Sequence, residues 1–120
     1  MKNLFIALSL LILFTNKINA QNAVTDSLKQ KLAAEKQDTS RVLILMQLSK
    51  AYLEYKPDSA LLLAQHGYQL SGQKKFARGE ALSLKAMGAV FGVTGNYPKG
   101  LEMLLQSLKI SESMNDKQGM

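Results

Sequence analysis

A helical pattern that recurs after about 40 residues is the feature that most constrains the fold of this chain. The segment Gly67–Ser71 returns in type as Ser107–Ser111, an offset of 40 residues. The helix before it returns with an offset of 39, as in the pair Leu45 and Leu84. The other matched pairs of that helix are Leu48 with Met87, Ser49 with Gly88, and Tyr52 with Phe91. A helix pair that recurs at such a period predicts an α-solenoid.

Helix-breaking residues divide each copy of the pattern into two helices. Pro57 ends the first helix of the earlier copy, and Gly72 is expected to be the left-handed residue that ends the second. In the later copy Gly95 stops the first helix, and Pro98 stands in the first turn of the next one. The apolar residues between these breakers are spaced by three and four, and no segment shows the alternation of a strand. The sequence therefore predicts an all-α chain.

The segment Ala81–Met114 resembles a tetratricopeptide repeat (TPR). The family pattern has a large residue, a Leu-Gly pair and an aromatic residue on helix A, then Ala and a large residue on helix B. The later copy supplies Leu84, Met87-Gly88, Phe91, Gly100, Leu104 and Ser107, and the earlier copy Leu45, Leu48-Ser49, Tyr52, Ala60, Ala64 and Gly67. Both copies lack the closing proline of the family and exceed its usual period of about 34. The resemblance implies antiparallel helix pairs and a non-catalytic interaction module.

The first 20 residues are typical of a secretory signal peptide. Lys2 is basic, the run from Leu4 to Phe14 is predominantly apolar, and the small Ala20 suits the last residue removed. The apolar run is shorter than the roughly 20 residues needed to span a bilayer, so no membrane span is expected after cleavage. The alternative is an uncleaved anchor. The chain has no cysteine, which excludes disulfides and a lipid-modified Cys at the cleavage site.

These features predict five segments: a signal peptide at 1–20, a helical lead-in at 21–37, TPR-like repeats at 38–72 and 73–114, and the start of a third repeat at 115–120. The third repeat is expected because Gly119 follows Gly79 by one period. We therefore expect an N-terminal piece of a longer exported protein, periplasmic or at the cell surface. The resemblance to bacterial signalling proteins implies an alternative, in which such repeats form the extracytoplasmic sensor region of a histidine kinase, cyclase or phosphatase, tethered by a membrane helix that would lie beyond Met120.

The glycine-rich stretch Val90–Leu108 is the part that most resembles a site for chemistry. A phosphate loop needs Gly-Lys-Ser/Thr, but the order at Lys99–Leu101 is Lys-Gly-Leu. Gly92–Gly95 matches the Gly-x-x-Gly clamp of an RNA-binding module that also needs a sheet, so a helix corner is favoured. His66 is the only histidine, and a metal site or catalytic triad would rest on it alone. We expect no catalytic residue, cofactor, metal or small-molecule substrate.

The charge of the chain is mildly basic, with 15 Lys and Arg against 9 Asp and Glu. The charges are scattered and form no basic stripe, so a nucleic-acid partner is not expected.

A concave groove is what the TPR resemblance offers as a binding site, because helix A of each repeat lines a surface that receives an extended peptide or a partner helix. Transferred residue by residue, this groove comprises Leu43, Met46, Lys50, Leu53, Glu54, Leu82, Lys85, Ala89 and Val93. Its two lysines among apolar residues suit an acidic peptide, or one that ends in a carboxylate. The alternative is that these residues only cover a further repeat.

Overall fold

Helices make up the regular structure of the described part of the chain. The computed structural model describes the backbone of residues 2–118 and the side chains of residues 2–17 and 19–115. The helices are α1 (Lys2–Ala34), α2 (Asp38–Tyr52), α3 (Pro57–Gln73), α4 (Ala77–Val93) and α5 (Tyr97–Gln118). Residues 2–118 contain no strand, so the predicted all-α class is confirmed.

The helices pack as two successive pairs, α2 with α3 and α4 with α5. Each helix contacts the next one in the chain, and α2 also contacts α4. Contact between the first helices of successive pairs stacks the repeats of a solenoid. The TPR-like α-solenoid predicted from the sequence is confirmed.

Small residues set the close approach of the two helices in each pair. The Ser49 hydroxyl on α2 donates a hydrogen bond of 2.8 Å to the carbonyl oxygen of Ala60 on α3. The corresponding residues of the second pair are Gly88 and Gly100. A Cβ added to Gly100 would lie 3.1 Å from the carbonyl oxygen of Gly88. The same two positions thus form the contact in both pairs, as the 39- and 40-residue offsets predict.

The core lies along the facing sides of α2, α3 and α4. Its buried apolar residues are Val42, Leu45, Leu48, Tyr52, Ala60, Ala64, Ala81, Leu84, Met87 and Val90. Two large residues of the TPR pattern are less buried: Phe91 is half-buried and Leu104 is 43% exposed. Leu104 belongs to α5, which contacts only α4 among the described helices, so one side of α5 is left uncovered by them.

The end of α5 bears on the predicted third repeat at 115–120. The helix continues to Gln118, four residues past the predicted end at Met114. Gly119 and Met120 lie outside the described residues, and the third repeat stays a prediction.

The end of α3 differs from the prediction. Gly72 was expected to be the left-handed terminal residue, but it lies inside α3, which runs to Gln73. The left-handed residue is Lys75, with φ +52°. The reversal occurs there because the Phe76 N–H donates a 2.8 Å hydrogen bond to the Ser71 carbonyl, closing the turn three residues later than expected.

The left-handed conformation of Lys75 carries a cost that glycine avoids, because a Cβ crowds the backbone there. Lys75 is exposed, so we expect Lys75→Gly to raise the free energy of unfolding by about 0.5–1 kcal/mol in urea denaturation. Gly95 has φ +89° at the equivalent turn after α4, and Gly95→Lys should lower stability by a similar amount. A Lys75→Gly variant no more stable than the parent would contradict this backbone assignment.

Helix α1 is one continuous helix of 33 residues that includes nearly all of the predicted signal peptide and most of the predicted lead-in. Apolar side chains of its N-terminal half, such as Phe5 and Phe14, are exposed. The predicted apolar run is thus part of a longer helix that could cross a membrane, judged by length and composition alone. A signal sequence near an N-terminus meets the same criterion.

The C-terminal half of α1 packs against α2. Leu28 and Leu32 contact the core cluster around Leu48. The Arg41 guanidinium of α2 donates hydrogen bonds of 3.0 and 3.1 Å to the carbonyls of Leu32 and Glu35. A cation at the last carbonyls of a helix is favoured by the helix dipole. These contacts fix the orientation of α1 beside α2.

Lys29 and Tyr52 add a further contact between α1 and α2. Hydrogen bonding by Tyr52 raises the pKa of Lys29, and the Lys29 ammonium lies 5.7 Å from the centre of the tyrosine ring. The raised pKa favours the charged ammonium, which faces the tyrosine ring as a cation.

Candidate peptide-binding groove

A groove lies between α2 and α4, the first helices of the two pairs. Its volume is about 370 Å³, and its lining residues are Met46, Ser49, Lys50, Leu53, Leu82, Lys85, Ala86 and Ala89. The short side chains of Ser49, Ala86 and Ala89 leave room between the two helices. We call this cavity the α2–α4 groove. Its size suits a few side chains of a bound segment rather than a large ligand.

Most of the predicted groove residues meet in this cavity. Those that line it are Met46, Lys50, Leu53, Leu82, Lys85 and Ala89. The lining runs from residue 46 to 53 on one side and from 82 to 89 on the other, so three predicted residues fall beyond its ends. Leu43 precedes it, whereas Glu54 and Val93 follow it in exposed positions.

Two lining residues were missed by the sequence prediction. Ser49 also packs α2 against α3, because its hydroxyl donates a hydrogen bond to the Ala60 carbonyl. Ala86 lies four residues after Leu82 and three before Ala89, and this helical spacing is the signal that could have found it.

The family of the chain follows from a comparison over almost its whole length. The family model described as the SusR N-terminal TPR domain matches residues 18–118. The chain belongs to this TPR family. No curated protein and no solved structure matches the chain. The predicted TPR resemblance is confirmed. TPR domains are generally non-catalytic scaffolds, so family membership supports a role in protein–protein interaction.

The α2–α4 groove of this TPR domain is basic and largely apolar. Lys50 and Lys85 are exposed, and none of the lining residues is acidic. The salt bridge found among the described side chains joins Lys74 to Asp38 at 3.2 Å and does not involve the groove. Both lysines can therefore pair with carboxylates of a partner.

The sequence offers two other candidate sites, His66 and the glycine-rich stretch Val90–Leu108. Within the described residues no group of three or more His, Cys, Asp or Glu side chains could hold a metal ion. His66 is exposed on α3. The stretch Val90–Leu108 forms the end of α4, a short turn around Gly95 and the start of α5. The helix corner predicted for this stretch is confirmed.

Proposed function

We propose that this chain is an exported scaffold that binds a protein or peptide partner in the α2–α4 groove and performs no catalysis. The observation that carries the proposal is a cavity between the first helices of two stacked repeats, lined by apolar side chains and two lysines. In TPR proteins this surface receives extended peptides or partner helices. An acidic segment, or one ending in a free carboxylate, fits the charge of the groove best.

The groove would use its apolar and charged residues differently. Met46, Leu53 and Leu82 offer apolar surface, and burial of a partner's apolar area is favourable by about 25 cal/mol per Å². Lys50 and Lys85 would steer acidic segments toward the groove and fix their register. Because both helices are held by the core, little ordering would be needed on binding, which favours affinity.

Charge reversal of the two groove lysines tests the proposal. We expect a peptide library to yield binders rich in Asp and Glu, and each of Lys50→Glu and Lys85→Glu to weaken them about 3–10-fold at low salt. The measurement is fluorescence polarisation of a labelled selected peptide. Lys109→Glu is the matched control, since Lys109 is exposed on α5 and does not line the groove. An unchanged peptide affinity in both groove variants would contradict binding in the α2–α4 groove.

Export of the chain is supported by its N-terminal region. The apolar side chains of residues 4–14 are exposed on α1, and the family match begins only at residue 18. A cleavable leader that ends at Ala20 accounts for both facts and leads to the periplasm or the cell surface. Intact mass spectrometry of the exported chain checks this, because retention of residues 1–20 would contradict cleavage.

A second candidate function is the input segment of a membrane-bound signalling enzyme. The matched family is described as an N-terminal domain, and an N-terminal domain belongs to a longer chain. α1 is also long and apolar enough to serve as a membrane anchor. Sequencing the transcript past the Met120 codon separates the candidates: a kinase, cyclase or phosphatase domain supports the second, and an early stop codon rules it out.

A further inference from the structure

A second groove lies on the other side of α2, between α1 and α2. Its volume is about 610 Å³, and its lining residues are Ala23, Val24, Ser27, Leu28, Lys31, Gln47, Lys50 and Ala51. A smaller cavity of about 240 Å³, lined by Ala20, Gln21, Val24 and Ala51, continues it along α1. We call the larger cavity the α1–α2 groove. It shares Lys50 with the α2–α4 groove, so the two grooves meet across α2.

The chemistry of the α1–α2 groove repeats that of its neighbour. Its lining is mostly apolar, Lys31 and Lys50 are its charged residues, and none of its lining residues is acidic. Lys31, Lys50 and Lys85 are all exposed, and the salt bridge found among the described side chains involves none of them. The two grooves together present three cations, one from each of α1, α2 and α4, separated by apolar surface.

We propose that one partner segment crosses α2 and occupies both grooves, with α1 as a wall of the binding surface. The occupant is an acidic segment of a partner protein that carries apolar side chains between its carboxylates. Charge complementarity supports an acidic occupant, since Lys31, Lys50 and Lys85 would each face a carboxylate. The inference rests on the function proposed above and adds Lys31 and the α1 surface to the site.

The dimensions of the two grooves fit such a segment. Packed helices lie 8–10 Å apart, so the axes of α1 and α4 on either side of α2 are separated by at most about 16–20 Å. An extended segment of about five or six residues covers that distance. The α1 wall lies within the matched TPR domain, which begins at residue 18, and most of it would remain after removal of residues 1–20.

Selection and charge reversal on the full-length chain test this extension. A random 16-residue peptide library would be displayed and selected against the chain in a non-ionic detergent at low salt. The selected peptides are then labelled and measured by fluorescence polarisation. We expect Lys31→Glu and Lys85→Glu each to raise Kd about 3–10-fold, and Lys109→Glu to change it less than twofold. Val24→Glu, at a side chain 53% exposed in the α1–α2 groove, should weaken binding as Lys31→Glu does.

The outcomes of this experiment distinguish failure of the α1 extension alone from failure of both proposals. Peptides that respond to Lys85→Glu but to neither Lys31→Glu nor Val24→Glu would overturn the role of α1 and leave the α2–α4 groove in place. Peptides insensitive to all three substitutions, selected peptides without acidic residues, or a failed selection would count against both. Circular dichroism of each variant shows that the fold is retained, which is expected because Val24, Lys31 and Lys85 are exposed.

Discussion

Replacing Leu48 with alanine should lower the free energy of unfolding by about 2–5 kcal/mol, as truncation of a buried leucine does in other cores. Leu48 is 1% exposed and lies in a cluster with Tyr52, Ala60 and Val90, which come from three different helices. The substitution removes apolar contacts and leaves a cavity that helices fixed on several sides cannot easily fill. Because Leu28 of α1 also packs on this cluster, the docking of α1 should weaken as well.

Leu62→Ala is the matched control for this substitution. Leu62 lies on α3 and is 68% exposed, so the same chemical change there should alter stability by less than about 0.5 kcal/mol. Urea denaturation followed by circular dichroism measures both. Equal stability of the two variants would show that the apolar face of α2 has been assigned to the wrong side.

Gly88→Leu is expected to cost about 1–3 kcal/mol, because it overpacks the contact between α4 and α5. A Cβ at residue 88 would lie 2.9 Å from Cγ of Leu104 and 3.1 Å from the carbonyl oxygen of Gly100. The Leu104 side chain is partly exposed and can move, whereas the Gly100 carbonyl belongs to the backbone of α5. Room for a leucine therefore requires the two helices to separate.

Gly92→Ala is the matched control for Gly88→Leu, because it changes a glycine of the same helix where an added Cβ disturbs no contact with α5. Gly92 lies four residues after Gly88 on α4, and a Cβ there would meet nothing within 4 Å. Its replacement should raise stability by about 0.5–1 kcal/mol through helix propensity alone. Thermal unfolding of both variants is the measurement, and a Gly88→Leu protein as stable as the parent would contradict the register of the second pair.

The repeat made much of the fold predictable from the sequence. Ser49 and Gly88 could be matched without a structure because two copies of one helix pair were available for alignment. The structure places both residues at the contact between the helices of their pair. Pro57 and Gly95 are residues that interrupt helices locally, and helices α2 and α4 end before them as predicted. Local chemistry and internal repetition are both visible in the sequence.

Other features depend on contacts between distant residues and were not predictable. The left-handed Lys75 replaced the expected Gly72 because a hydrogen bond from Phe76 to Ser71 sets the turn, and such a bond has no sequence pattern of its own. Arg41 docks α1 on α2 by donating hydrogen bonds to backbone carbonyls. Every residue carries such a carbonyl, so the sequence does not mark this contact. The α1–α2 groove follows from that docking, and for this reason Lys31 was absent from the predicted site.

Methionine methyl NMR tests most directly whether partners bind on the α2 and α4 side of the array. Met46 lines the α2–α4 groove, whereas Met103 lines a separate cavity between α3 and α5 with Tyr68 and Gln106. Titration of the methyl-labelled chain with a selected acidic peptide should shift the Met46 resonance and leave that of Met103 unchanged. A shift at Met103 with an unchanged Met46 would contradict binding on that side.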